Sequence, residues 1–104
     1  MEKSRPHYLL PAIQSEVARR GAASFTKTAL KNGLAMGLTV GQLVDVVRSL
    51  IRGNFIKSMT THQDYTVWQD VYHAQTPSGV VAYIKVTGYA DGLPPVIQFK
   101  EKDE

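Results

Sequence analysis

The sequence predicts an α+β domain in which about three helices pack on one face of a curved antiparallel sheet. Apolar residues recur at helical spacing over roughly the first half of the chain, and strand-like alternation takes over in the second half. This order is typical of α+β domains, whereas a βαβ fold would interleave the two patterns. Because 104 residues is the length of one domain, we expect residues 1–104 to fold as a single unit.

The first helix is predicted from about Pro11 to Arg20. Proline suits the first turn, since the N–H that it lacks would have no helical partner there. Leu9, Ile13 and Val17 are four residues apart and form one apolar stripe. Gly21 follows two arginines and is a typical end signal for a helix.

Two further helices are predicted before the strands begin. The second covers about Thr26–Met36, although Gly33 inside it costs roughly 1 kcal/mol relative to alanine, and residues 22–25 before it predict a short edge strand. The third begins at Thr39, because Thr39 and Gln42 match the capping-box pattern. Its apolar residues then follow at helical spacing, and Arg52 and Gly53 mark its end: Leu43, Val46, Val47 and Leu50.

The second half of the chain predicts four strands, at about residues 55–61, 65–73, 80–89 and 96–102. Residues 76–79 (TPSG) are typical of a turn with proline second and glycine fourth, and Asp91-Gly92 predicts another. The last strand begins after Pro94 and Pro95, since proline cannot donate to a strand ladder. Strands joined by short turns predict an antiparallel meander.

Alternation along these strands divides their side chains between the two faces of the sheet. The apolar sets must face the helices, because burial of apolar surface stabilises the fold. That choice leaves four residues of the last two strands on the open face: Tyr83, Lys85, Gln98 and Lys100. For residues 65–73 alternation does not decide. We place Trp68 in the core and Gln69 on the open face, with an open-face aromatic as the alternative.

The composition excludes several kinds of site. Without cysteine the chain has no disulfide and no thiolate chemistry, which suits a reducing compartment. Its three histidines, His7, His62 and His73, lack paired ligand spacing, so no zinc site is indicated. No apolar run reaches membrane-spanning length and no signal-peptide pattern begins the chain, so we expect a cytoplasmic protein. The net charge of +3 favours acidic partners only weakly.

Three separated motifs carry a resemblance to a known family: FIKSMTT at residues 55–61, WQDVY at residues 68–72 and FKEK at residues 99–102. Together they resemble the motility quorum-sensing regulator (MqsR) toxins of bacterial type II toxin–antitoxin pairs. The resemblance implies a RelE/YoeB-like fold and cleavage of mRNA at GCU-type sequences without a metal or cofactor. It also implies an antitoxin partner that has a zinc-binding domain and a DNA-binding domain.

Matched by motif, the family's functional residues fall on Lys57, Gln69, Tyr83 and Lys100 of this sequence. Two of them, Tyr83 and Lys100, lie on the open face by alternation alone. In the reaction that the resemblance implies, the RNA 2′-OH attacks the neighbouring phosphate. Lys57 and Lys100 would bind that phosphate, one of them as a base with a lowered pKa. Tyr83 would donate a proton or hydrogen bond, and Gln69 would position the ribose or phosphate.

Three more residues are predicted to contact RNA. Lys85 shares the open face, His62 lies in a loop near the expected site, and Trp68 could stack on a base, although a core tryptophan is the more common case. Two other functions stay open. One is a module that binds nucleic acid without cutting it, and the other is a regulatory domain whose exposed strand edge accepts an antitoxin strand.

Overall fold

A computed structural model describes residues 1–88 and 95–103 of the chain. Within them, three α-helices stand beside one five-stranded sheet. The helices are α1 (Leu10–Arg20), α2 (Lys27–Ala35) and α3 (Val40–Arg48). The strands are β1 (Glu2–Lys3), β2 (Phe55–Thr60), β3 (Trp68–Gln75), β4 (Val81–Thr87) and β5 (Val96–Glu101). Neighbours in the order β1-β2-β3-β4-β5 are all antiparallel, which confirms the α+β class and the meander.

Helices α2 and α3 each begin at a capping threonine. Thr26 caps α2 by accepting a hydrogen bond from the Ala29 N–H at 3.0 Å. The capping box of α3 is confirmed: Thr39 Oγ1 accepts from the Gln42 N–H at 3.1 Å, and Gln42 Oε1 accepts from the Thr39 N–H at 2.9 Å. This helix ends at Arg48, earlier than predicted, and a 3₁₀ turn at Arg52–Asn54 leads into β2.

Gly33 has a packing reason for its place inside α2. It is buried, and a Cβ atom there would lie 2.7 Å from Leu43 Cδ1 of α3. The missing side chain therefore lets α2 and α3 approach closely, which compensates for the helix propensity that glycine lacks.

Two local predictions were wrong. Residues 22–25 do not form an edge strand: Gly21–Ser24 is a 3₁₀ helix, and Phe25 makes only an isolated parallel bridge to Ile97. The strand β1 was not predicted, and it pairs with Ser58 and Met59 of β2. A two-residue strand is too short to show alternation, so only its distant partner defines it. The Asp91-Gly92 turn lies outside the described residues.

The helices pack on one face of the sheet, around buried Tyr72, Ile84, Ile97 and Phe99. The TPSG turn between β3 and β4 is confirmed by a 3.0 Å hydrogen bond from the Gly79 N–H to the Thr76 carbonyl. In the described ranges, no helix is long and apolar enough to cross a membrane.

Residues 4–9 connect β1 to α1, and hydrogen bonds to β3 hold them on the helix side of the sheet. The buried carboxylate of Asp70 accepts the backbone N–H of His7 at 3.0 Å and that of Tyr8 at 2.9 Å. The Tyr8 hydroxyl donates to the Trp68 carbonyl at 2.6 Å. The Tyr8 ring also lies against Gly88, where a Cβ would be 2.5 Å from Tyr8 Cε1.

The outer edge of β5 is covered by α2. The Thr26 N–H donates to the Ile97 carbonyl at 3.1 Å, and Asn32 Nδ2 donates to the Phe99 carbonyl at 3.0 Å. These bonds satisfy two carbonyls that an edge strand would otherwise leave open, and they hold α2 beside the last strand.

Candidate functional site

The four motif residues all lie on the open face of the sheet, in three adjacent cross-strand rows. One row runs from Lys57 through Val71 and Lys85 to Gln98. On one side of it is the row of His73, Tyr83 and Lys100, and on the other side is the row of Met59, Gln69, Thr87 and Val96. The placement of Tyr83, Lys85, Gln98 and Lys100 on this face, which alternation predicted, is confirmed.

Lys57 reaches the open face because β2 contains an irregularity. Phe55 and Lys57 are two residues apart, so in a regular strand their side chains would share a face. Phe55 packs edge-on to Tyr72 in the core, with ring centroids 5.5 Å apart. The register shifts between Phe55 and Lys57, and Lys57 pairs with Val71 instead of continuing the core side. A bulge of this kind re-aims the side chain that follows it.

The open face gathers positive charge on a partly buried surface. Lys85 is half-buried in the middle of its row, and burial, together with the charge of Lys100, lowers its pKa below the ordinary lysine value. Lys100 Nζ lies 5.2 Å from the centroid of the Tyr83 ring. Lys57 Nζ lies 3.5 Å from a carboxylate oxygen of Glu2 in β1, and its side chain is 38% exposed. A surface of this kind attracts anions.

Gln69 is held in place from β4. Its Nε2 donates to Thr87 Oγ1 at 3.0 Å, which orients the amide and turns the acceptor Oε1 away from that bond. Because this bond uses the amide nitrogen, Oε1 can accept a hydrogen bond from a ligand hydroxyl or N–H. Within the described ranges, no group of three or more His, Asp or Glu side chains is arranged to hold a metal ion.

Comparison with known proteins decides the family. A family model described as "Motility quorum-sensing regulator, toxin of MqsA" matches residues 5–101. The chain is also 38% identical over 102 residues to the mRNA interferase toxin MqsR of Escherichia coli (strain K12), a match that covers 98% of this chain and 100% of that protein. The chain belongs to the MqsR toxin family. The resemblance predicted from the three motifs is therefore confirmed.

The three residues predicted to contact RNA are placed differently in this MqsR-family fold. Lys85 lies in the central row of the open face, the row of Lys57, between the row of Tyr83 and Lys100 and the row of Gln69. His62 is exposed in the loop between β2 and β3, beyond the paired residues of both strands. Trp68 follows the alternation of Asp70 and Tyr72, so it points to the helix side.

Trp68 is therefore not brought together with the other candidates. Its ring stacks on His7, with centroids 5.3 Å apart and planes 18° apart, and Lys3 Nζ lies 4.1 Å from its centroid. The prediction that placed Trp68 in the core is correct only for the face, because Trp68 is partly buried and does not belong to the core cluster. A role in stacking RNA bases on the open face does not fit this position.

His73 was not predicted as a site residue, yet it lies on the open face, where it pairs with Tyr83. Its ring centroid is 5.4 Å from that of Tyr83, and burial, together with the charge of Lys102, lowers its pKa. The signal that could have found it is alternation: His73 is two residues from Val71 and four from Gln69 on the same strand. Both of those residues lie on the open face of the sheet.

Proposed function

We propose that this chain is the toxin of a type II toxin–antitoxin pair and an endoribonuclease that cuts mRNA at GCU-type sequences without a metal. Its E. coli relative is named an mRNA interferase toxin, and the alignment between the two covers nearly the full length of both. The proposal includes a RelE/YoeB-like toxin fold, with which the five-stranded antiparallel sheet and its helices are compatible.

The observation that carries this proposal is the grouping of Lys57, Lys85, Lys100 and Tyr83 on one face. Neighbouring strands are about 4.8 Å apart, so Lys57 and Lys85 project from backbones roughly 10 Å apart. Lys85 and Lys100 come from adjacent strands. Flexible lysine side chains on this scale can converge on one phosphate and its neighbours, and cations there stabilise the charge that develops during phosphate attack.

Each residue then has a chemical role. Lys57 and Lys100 bind the non-bridging oxygens of the scissile phosphate. Tyr83 donates a proton or hydrogen bond toward the departing 5′-oxygen, and Gln69 positions the ribose or phosphate, which leaves the 2′-OH proton for a base. The bond from 2′-oxygen to phosphorus forms as the bond from phosphorus to 5′-oxygen breaks, which leaves a 2′,3′-cyclic phosphate.

The pKa of Lys85 is shifted in the direction that a base requires in this scheme. A lysine can accept the 2′-OH proton only when it is neutral, and burial beside a second ammonium group favours the neutral form. Both causes act on Lys85, whose pKa is lowered. Lys85, predicted from the sequence only as an RNA contact, thus becomes the strongest candidate for the proton acceptor.

The proposed partners are mRNA and a cognate antitoxin in the cytoplasm. The family is described as the toxin of MqsA, which supports the antitoxin as a partner. We propose, as the resemblance implies, that this antitoxin contains a zinc-binding domain that contacts the toxin and a separate DNA-binding domain. Copurification of the two proteins, followed by loss of RNA cleavage in the complex, is the expected result.

The decisive experiment incubates the purified protein with a defined mRNA in EDTA and maps the cuts by primer extension. We expect discrete cuts near GCU, with the cyclic phosphate at the new 3′ ends. Cleavage that requires added metal would contradict the metal-independent reaction. RNA that is bound in a salt-dependent way but stays intact would instead support the non-catalytic binding module.

A further inference from the structure

A cavity of about 260 Å³ lies where α2 meets the outer edge of β5. Its walls come from two parts of the molecule. One wall belongs to the open face and consists of Tyr83, Lys85, Gln98 and Lys100, and the other belongs to α2 and includes Thr28 and Asn32. The cavity is therefore continuous with the surface proposed to bind the scissile phosphate.

We infer that this cavity binds one nucleobase of the RNA beside the scissile phosphate, and that Asn32 and Gln98 read the edge of that base. The inference rests on the proposed function for its substrate class. It adds two specificity-determining residues, Asn32 and Gln98, that lie outside the three family motifs, and Asn32 lies on α2, far from those motifs in the sequence.

The size and lining of the cavity fit a base. Sites for drug-sized ligands occupy roughly 300–1,000 Å³, so a volume of about 260 Å³ suits a single planar ring system. Sequence-specific proteins recognise single-stranded RNA by stacking a splayed base on an aromatic ring and bonding its edges. Here the Tyr83 ring provides a stacking surface, and the side chains of Thr28, Asn32 and Gln98 provide hydrogen-bonding groups.

Asn32 has the fixed geometry that base reading requires. Its Nδ2 donates to the Phe99 carbonyl at 3.0 Å, which sets which end of the amide is oxygen and which is nitrogen. Its other N–H and its Oδ1 make no hydrogen bond within the described part of the chain. A carboxamide held in this way offers one donor and one acceptor, the pair that distinguishes one base edge from another.

The cavity would also couple recognition to cleavage. Lys85 and Lys100 belong both to its wall and to the phosphate-binding surface. Lys100 Nζ lies over the Tyr83 ring, 5.2 Å from its centroid, so a base that enters the cavity beside this ring brings its neighbouring phosphate within reach of the lysine. A base that fits the cavity thus places the phosphate for attack, and a base that does not fit leaves it out of position.

The first test measures sequence preference in the variant Asn32→Ala. Cuts are counted across a randomised RNA library, and the rate at each sequence is compared with that of the unmodified protein. We expect discrimination at one position of the cleaved sequence to fall by roughly ten-fold or more, since one paired base edge carries that much selectivity. Preferences at the other positions stay as they were.

Asn54→Ala is the matched control. Asn54 Nδ2 donates to the carbonyl of His73 in β3 at 3.1 Å. This variant therefore also removes a hydrogen bond from a side-chain amide to a strand carbonyl, but at a position outside the cavity. It should leave the sequence preference unchanged even if it destabilises the fold. An Asn32→Ala variant that slows all sequences equally, as a structural defect would, overturns the inference.

The second test does not depend on cleavage. A trinucleotide with 2′-O-methyl groups cannot be cut by 2′-OH attack, so it is titrated into the intact protein while side-chain amide signals are followed by NMR. We expect the Asn32 and Gln98 signals to shift and the Asn54 signal to stay. These shifts in a protein that cuts no RNA would refute the proposed activity and leave the base site standing.

Three outcomes of this titration overturn the inference. The trinucleotide fails to bind at millimolar concentration, or it binds and leaves the Asn32 and Gln98 signals in place. In the third, free nucleoside monophosphates shift both signals as strongly as the trinucleotide does, which would make the cavity a site for free nucleotides.

Discussion

Two clusters, each made of a lysine, a histidine and an aromatic residue, lie on opposite sides of the sheet. The N-terminal cluster consists of Lys3, His7 and Trp68, and the open-face cluster consists of Lys100, His73 and Tyr83. In each, a lysine ammonium lies near an aromatic ring, at 4.1 Å and 5.2 Å from the ring centroid respectively. In each, a histidine ring also contacts that aromatic ring.

The clusters differ in how fully their polar groups are used. In the N-terminal cluster Lys3 Nζ donates to His7 Nδ1 at 2.8 Å, and the buried Asp70 carboxylate holds the adjacent backbone. In the open-face cluster Lys100 is exposed and forms no ion pair within the described residues. The comparison teaches that residue type alone does not indicate a functional site. The two clusters differ in the hydrogen-bonding capacity that they leave for a ligand, and the open-face cluster is the one that leaves it.

The largest effect is expected from Lys100→Ala. In the proposed reaction this cation stabilises the charge that develops on the phosphate, so we expect the rate of RNA cleavage to fall by about 10²–10³. Lys100 is exposed, so the free energy of unfolding should change by less than about 0.5 kcal/mol. Primer extension and urea unfolding measure the two quantities. Lys31→Ala, which removes an exposed charge on α2, is the control, and an equal loss of cleavage there would contradict a specific role for Lys100.

Asp70→Ala tests the N-terminal cluster in the opposite way. The change leaves the N–H groups of His7 and Tyr8 without their acceptor, and we expect a loss of about 3 kcal/mol in the free energy of unfolding. Cleavage per folded molecule should persist. Asp70→Asn keeps one carbonyl acceptor and should cost less. A fully stable Asp70→Ala protein would show that this carboxylate does not fasten residues 4–9.

Exchanging the two aromatic rings for leucine sharpens the comparison directly. Tyr83→Leu removes the stacking surface and should weaken binding of a non-cleavable RNA by roughly five-fold or more. Trp68→Leu should leave that affinity within two-fold while lowering stability by about 1–2 kcal/mol, since its ring contacts His7 and Lys3 on the helix side of the sheet. Fluorescence anisotropy and urea unfolding provide the readouts. The reverse pattern would return Trp68 to the RNA-binding surface.

The smallest effect concerns pH. The pKa of His7 is lowered from 6.5 by burial and by Lys3, with Asp70 opposing, and that of His73 is lowered by burial and by Lys102, with Asp103 opposing. The unfolded chain therefore binds these protons more readily. Stability should be complete above pH 6.5 and decline as the pH falls below it through the lowered pKa values.

Urea unfolding between pH 7 and pH 5 measures this decline in the unmodified protein and in His7→Gln and His73→Gln. Each variant should flatten part of the dependence, because it removes one titrating ring. If His7→Gln reproduced the full slope of the unmodified protein, protonation of the N-terminal cluster would not contribute to it.

How far the sequence could predict the site depended on the regularity of each strand. In β4 and β5 the pairing is regular, so alternation alone placed Tyr83, Lys85 and Lys100 correctly. In β2 the register shift before Lys57 moves that side chain from the core face to the open face, and no local sequence pattern predicts the shift. The motif resemblance selected Lys57, and the bulge explains how it joins the others.

Long-range contacts account for what the sequence missed. Trp68 suits a core and a stacking surface equally well by residue type, and its position is fixed by His7, sixty-one residues earlier in the chain, and by Lys3. The base-reading role proposed for Asn32 depends on α2 lying against the edge of β5, which the helix pattern does not reveal. The 3₁₀ helix at Gly21–Ser24 likewise gave no periodic signal.

The contact between Tyr8 and Gly88 makes the side-chain size allowed at position 88 depend on the residue at position 8, far away in the chain. A methyl group at position 88 would collide with the phenol, so a larger residue at position 88 cannot be accommodated unless Tyr8 moves or is replaced by a smaller residue. Relatives with a branched side chain at the position of Gly88 should carry a short one at the position of Tyr8. Such covariation among relatives would show that close packing between the start of the chain and the end of the fourth strand constrains both positions.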